Sequence, residues 1–405
     1  MKLSPVLLVG SFCVALVLSL MGFMAPAAML GDIIRDWQLS NAQAGWLGGA
    51  LFAGYILTVP VLTAYTDRID PKRIYLVCAA LGAIGNFGFG FVADGLWSGV
   101  VFRVLTGIGL AGTFMPGLKA LSDQLPAGRT QQRGATYYTS VFALGSGLSI
   151  LIAGGAADLL DWHWAFAIAG AGGLGAFLIV AVVLPANPSD PDARPPGAAL
   201  DFRPLLKDRA VMSYVMSSLG VAWEVFASRV WFVTFFLYLQ TQFPGAESGW
   251  SPVVWATIVA LVGVPAAMLF GEMSVRYNRH RILIVVAVVS VALAVSIGFT
   301  VDAAYEIPLV LSILFGMFSY GRTAATTAGT VAVADPKRRG GALAIQSFVG
   351  FSGGILGPLA FGIALDAAGG SGTAAAWVIA MMVMAVGPVI TILALLAMPK
   401  HRRTT

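Results

Sequence analysis

Apolar residues run through this chain in stretches of about 20, broken by short polar gaps. A stretch of that length crosses the ~30 Å hydrocarbon core of a bilayer as a helix. Twelve such stretches can be marked, at about 5–29, 42–64, 74–93, 99–119, 135–156, 164–185, 210–235, 251–271, 282–300, 307–330, 342–364 and 373–397. The gaps carry a second pattern. Nineteen of the 24 Lys and Arg residues fall in every second gap: Lys2; Arg68, Lys72 and Arg73; Arg129 and Arg133; Arg194, Arg203, Lys207 and Arg209; Arg276, Arg279 and Arg281; Lys337 to Arg339; and Lys400 to Arg403. The alternate gaps hold Arg35 against nine acids, among them Asp94, Asp158, Asp161, Asp302 and Asp366. Basic loops are retained on the cytoplasmic side of a membrane. The pattern therefore predicts an all-α membrane protein with twelve transmembrane helices in a cell (inner) membrane and both termini cytoplasmic.

Composition agrees with that reading. Charged residues make up 11% of the chain and hydrophobic ones 58%, whereas soluble domains are roughly a quarter charged. The net charge of +5 is spread over loops facing anionic lipid heads, so a lipid bilayer and no nucleic acid is the expected partner. Cys13 and Cys78 lie within apolar spans and read as small buried residues, not as a disulfide or metal pair. His163, His280 and His401 lie at loops or ends, so no metal site and no cofactor is expected. Lys2, an apolar run and Ala25-Pro26-Ala27 imitate a secretory signal. Cleavage there would break the six-plus-six pattern, so an uncleaved first span is expected.

Residues 187–208, rich in proline and charge, read as a cytoplasmic linker between halves 1–186 and 209–405. The halves resemble each other at an offset of about 208 residues: Thr63–Arg73 matches Gly271–Arg281, and Gly134 through Asp158 matches Gly341 through Asp366. Both members of each pair have the same membrane orientation. Two six-helix halves related by a pseudo-two-fold axis along the membrane normal are the expected arrangement, and some transporters are built this way.

Three motifs now carry a family resemblance. The loop Asp67-Arg68-Ile69-Asp70-Pro71-Lys72-Arg73 resembles the signature between helices 2 and 3 of the major facilitator superfamily. Thr63 stands in place of its usual first glycine, and Asp70-Pro71 where one glycine is common. Arg103 through Gly112 is similar to that superfamily's helix-4 signature, and Trp162-His163-Trp164 to a Trp-Arg-Trp motif that opens helix 6. The resemblance covers essentially the whole chain and implies the major facilitator fold, alternating access, and a central cavity lined by helices 1, 4, 7 and 10. It also implies gating by Asp67 and Arg68, to which the neighbouring Arg73 is added. Val275 replaces the acid in the second half, so that latch is expected to be lost or altered there.

Four charges break the loop pattern by standing inside spans, where each costs ~2.5–3.5 kcal/mol or more unless it faces a cavity or partner. They are Arg103, Glu224, Arg229 and Arg322, and they fall on three of the four helices the resemblance assigns to the cavity. Each has two readings. Arg103 either serves proton-linked transport, as the resemblance implies, or is a structural arginine bound to neighbouring carbonyls. Arg322 has no acid in its own span and is read as a substrate or counter-ion contact. Arg229 binds substrate or rests on nearby aromatic rings. Glu224 is the one mid-span acid, hence the candidate for proton coupling or, alternatively, a fixed ion pair. Five residues are about 140° around a helix, so a partner for Glu224 is expected on another span, with Arg322 the leading choice over Arg229. Tyr320, Gln346 and Trp223 complete the expected substrate contacts.

Three arginines against one glutamate predict a secondary transporter for a small anionic solute such as an organic acid or carboxylate, coupled to a proton or another ion, and monomeric. The alternative is a proton-driven drug or metabolite efflux antiporter. Such exporters in the superfamily usually carry Gly-Pro in helix 5, where this chain has Ile150-Leu151 before Gly154-Gly155. The absence of a Walker loop and of hydrolytic or redox motifs speaks against an enzyme. A non-transporting membrane sensor on the same fold would ordinarily carry an added soluble domain.

Overall fold

A computed structural model describes residues 4–66, 68–185, 202–243, 250–335 and 338–399. Asp67, most of the expected linker and the basic C-terminal residues therefore lie outside the described residues. The described elements are helices: α1 Pro5–Leu20, α2 Ala25–Ala28, α3 Leu30–Trp37, α4 Asn41–Tyr65, α5 Pro71–Phe91, α6 Leu96–Gln124, α7 Arg129–Leu159, α8 Trp162–Val183, α9 Arg203–Lys207, α10 Arg209–Gln242, α11 Pro252–Arg276, α12 Arg279–Phe299, α13 Glu306–Val333, α14 Arg339–Ala367, α15 Ala374–Met384 and α16 Val386–Leu396. Eleven are long and apolar enough to cross a membrane, counting α15 and α16 as one span, and α1 is a shorter apolar helix.

The first expected span, 5–29, differs from the observed element. Its helix stops at Leu20 and restarts as the single turn α2. Pro26 has no N–H to donate back toward Gly22, and the free carbonyls of Gly22 and Phe23 are taken by a side chain from another helix. Five other spans start at side-chain caps. Asp70, Asp161, Asp208, Ser251 and Asn278 accept from the first amides of α5, α8, α10, α11 and α12.

The chain divides into two compact units, residues 1–32 with 50–196, and 33–49 with 197–405. The first nine residues of α4 thus group with the C-terminal unit, not with the N-terminal half in which its sequence places it. In the first unit, α4 and α6 meet where side chains are missing. A Cβ on Gly107 would overlap the Leu51 carbonyl, and one on Gly54 the Val104 carbonyl. Close helix approach through small residues is the main source of association in a solvent as apolar as leucine. In the second unit, Gly353 and Gly357 of α14 do the same against Leu219 and Trp223 of α10. The indole of Trp231 donates to the Pro358 carbonyl at 3.0 Å and its ring stacks on Phe361 at 5.6 Å.

Candidate functional site

The buried charges lie on α6, α10 and α13. In the second unit, Glu224 on α10 and Arg322 on α13 form an ion pair through Oε1 and Nη2, and both side chains are 0% exposed. Nε and Nη1 of Arg322 and Oε2 of Glu224 have no hydrogen-bond partner among the described residues. A buried pair regains its desolvation cost only when its remaining donors and acceptors are filled. This pair is therefore electrostatically matched but incompletely satisfied, with donors and an acceptor available to a further group.

Arg229 lies on another face of α10. Its guanidinium rests 5.1 Å from the Tyr320 ring centroid and 5.8 Å from that of Phe226, and a side-chain hydrogen bond joins it to Tyr320. A small pocket lies beside it, bounded by α10, α11 and α13, and neither Glu224 nor Arg322 lines that pocket. The structure thus brings Glu224 to Arg322 and Arg229 to Tyr320, in two separate clusters.

Gln346 on α14 donates to Thr327 Oγ1 at 3.0 Å, while its own Oε1 is buried without a hydrogen-bond partner among the described residues. Trp223 is committed elsewhere, its indole donating to the Val383 carbonyl at 3.0 Å. In the first unit, Arg103 is 1% exposed and its two terminal nitrogens donate to Gly22 and Phe23 at 2.7 Å each. It closes the break after α1, each terminal nitrogen donating to a backbone carbonyl.

In the signature loop, Arg68 and Arg73 are exposed. Asp70 accepts from the Lys72 amide at 2.9 Å. Lys72, read from the sequence as a topological charge, reaches the end of α8, where Nζ donates to Ala181 O at 2.8 Å and to Leu184 O. A further polar clasp joins two segments distant in the sequence. Asp366 near the end of α14 accepts from Asn41 N at 3.0 Å, Asn41 Nδ2 at 2.7 Å and Ala42 N at 2.8 Å. The signal was present, since Ser40-Asn41-Ala42-Gln43 is a capping box and its reciprocal bonds form. An acid 325 residues away could not be assigned to it from sequence.

Long apolar helices in two units, with paired charges buried inside them, define a multi-pass helical membrane protein. The chain belongs to the Major Facilitator Superfamily, whose profile matches residues 7–251 and 225–405. It is 26% identical to human protein spinster homolog 1 over 299 residues, 68% of this chain and 55% of that protein. The chain thus spans about half the length of that relative. It is 24% identical to the sphingosine-1-phosphate transporter SPNS2 of Danio rerio over 376 residues, 85% of this chain and 73% of the relative. Among solved structures, a bacterial homolog of the human lysosomal transporter spinster superposes with a TM-score of 0.79 at 18% identity, covering 100% of this chain and 98% of that one. The nucleoside transporter NupG gives 0.76 at 17%, covering 97% and 99%. These likenesses are to membrane transporters, not enzymes, and the structural ones establish the fold.

Proposed function

We propose that the chain is a secondary active transporter that moves a small anionic solute by alternating access, coupled to a proton at Glu224. The observation that carries this reading is the Glu224–Arg322 pair, fully buried and with Arg322 donors left over. A substrate carboxylate can accept from those donors in the bidentate geometry guanidinium favours. Protonation of Glu224 removes the competing charge, so proton and anion are taken up together and released together. Gln346 Oε1 supplies an acceptor for a substrate hydroxyl or amide. Arg103, with its terminal nitrogens on the Gly22 and Phe23 carbonyls, holds the first span in its broken form. For Arg68 and Arg73, exposed at the signature loop, we propose the gating role with Asp67.

Flux in proteoliposomes tests the reading. Glu224→Gln is expected to retain counterflow exchange of a carboxylate and to lose accumulation driven by a pH gradient. Accumulation equal to that of the unaltered protein would refute the coupling role. The named relatives include a sphingosine-1-phosphate transporter, so the substrate panel should include anionic lipids with a single chain beside short carboxylates. Proton-driven efflux of drugs or metabolites is the second reading, and outward movement of amphipathic cations in the same vesicles would select it.

A further inference from the structure

A line of exposed side chains runs down α7 in the first unit, and its polarity changes in a definite order. Arg129, Arg133, Thr136, Tyr137, Ser140 and Leu144 fall within an arc of about 100° around the helix, and all six are exposed. The line opens with two arginines, passes through hydroxyls and ends on leucine. Leu148, half-buried, and Leu151, exposed, keep it apolar beyond that point. A face that met only lipid chains would be apolar throughout, because unpaired polar groups are costly in hydrocarbon. From Arg129 to Leu144 the line measures about 22 Å, the depth of one leaflet with its headgroups, half of ~40–45 Å.

The arginines describe the ligand's charge. Residues 124–157 contain no Asp or Glu, and the acid before them, Asp123, is paired with Lys119 at 3.3 Å. Arg129 and Arg133 have no ion-pair partner among the described residues. Like charges four apart on a helix repel, and one anion shared between them reverses that. Arg129, Gln132, Arg133, Thr136 and Tyr137 line a groove of about 320 Å³, in the range of sites for small organic groups and far larger than a single ion needs. Thr136 Oγ1 donates to Gln132 O at 2.9 Å, so its proton is used within the helix. Tyr137, 59% exposed, and Ser140 have no hydrogen-bond partner among the described residues. They stand about 6 and 10 Å along the axis from Arg133, each with an O–H to donate.

We propose that this face of α7 binds one anionic phospholipid from the leaflet on the basic-gap side of the membrane. Its phosphate lies between Arg129 and Arg133, its ester carbonyls accept from Tyr137 and Ser140, and a chain follows Leu144. The order of side chains is the order of groups in such a lipid, from phosphate through ester to hydrocarbon. A soluble phosphate would leave the lower part of the line unused. Anionic headgroups gather at basic segments beside spans, which supplies the ligand where the arginines stand. The lipid is a resident of the bilayer and not the carried solute, so the site stands whether or not the transport reading holds.

The test melts the full chain in detergent with increasing phosphatidylglycerol, or with phosphatidylcholine of the same chains. Phosphatidylglycerol is expected to raise the melting temperature saturably, by about 2 °C or more, and phosphatidylcholine to leave it unchanged. The double variant Arg129→Gln/Arg133→Gln, altered only at exposed positions, is expected to lose the response. Leu144→Glu keeps both arginines but sets a charge in the path of the chain, and is expected to lose it as well. Arg276→Gln/Arg281→Gln removes the same charge from another basic gap and is expected to respond like the unaltered chain. An equal response to phosphatidylcholine, or none to phosphatidylglycerol, overturns the proposal. So does a response that survives in Arg129→Gln/Arg133→Gln, or one lost equally in Arg276→Gln/Arg281→Gln, which would reduce it to net charge. Glycerol 3-phosphate that matches the lipid, or a response that survives in Leu144→Glu, would show a site for soluble phosphate and overturn it too.

Discussion

At the scale of single residues, the buried pair sets a sharp energetic expectation. Removing one member of a buried ion pair leaves an uncompensated charge and costs about 3–5 kcal/mol, whereas replacing both by apolar groups is often neutral or stabilising. Arg322→Met should therefore lower the melting temperature steeply. The double variant Glu224→Leu/Arg322→Met should recover most of the loss while remaining inactive in transport. Thermal inactivation of the two in detergent distinguishes this from simple loss of packing, in which the double would be worse than the single. The sequence made the pair legible because mid-span charges are rare and the 140° separation pointed Glu224 away from Arg229. It could not show that Arg103 closes a helix break, because the carbonyls it meets belong to residues 80 and 81 positions away. Nor could it show that Trp223 is spent on Val383.

At the scale of elements, the clasp of Asp366 on the start of α4 makes a separate prediction. A carboxylate at a helix N-terminus satisfies amides that have no intrahelical partner and meets the positive end of the dipole. Asp366→Ala leaves Asn41 N and Ala42 N without that acceptor and is expected to cost about 1 kcal/mol, the scale of a lost N-cap. Asp366→Asn keeps an oxygen acceptor and should cost less. Hydrogen exchange of the first turn of α4 measures the effect, and unchanged protection in Asp366→Ala would show the contact to be energetically idle. The neighbouring packing explains why the clasp is possible. Gly45 and Gly362 have no side chain, and a Cβ on either would overlap the backbone of Pro358 or Asn41. The glycines were legible as packing residues from their frequency within apolar spans. Which helices they join was not, since one small residue matches any other.

At the scale of the whole chain, the alternation of basic and acidic gaps is the feature the sequence states most openly, and the element boundaries follow it closely. Helix starts and stops fall near the apolar limits because the same residues that leave the bilayer supply the caps, as Asp70, Asp161 and Asp208 do. Two spans depart from it, the last, which breaks at Ala385 between α15 and α16, and the first, where an internal break is held by a distant arginine and hydropathy alone reads straight through. Orientation follows from the charges and can be measured. Arg276, at the end of α11, and Arg129, at the start of α7, belong to basic gaps; Trp97, near the start of α6, and Leu159, at the end of α7, flank acidic ones, and all four are exposed. Cysteines placed singly at these positions should react with a membrane-impermeant maleimide in two groups: Arg276→Cys and Arg129→Cys only in inside-out vesicles, Trp97→Cys and Leu159→Cys only in intact cells. Native Cys78 is buried and Cys13 half-buried, so background labelling should be low. A basic-gap cysteine that reacts in intact cells would show that lysine and arginine do not set the orientation of this chain. Reversing the charge of one basic gap would then leave the labelling unchanged, whereas under the positive-inside rule it should redistribute the label between the two faces.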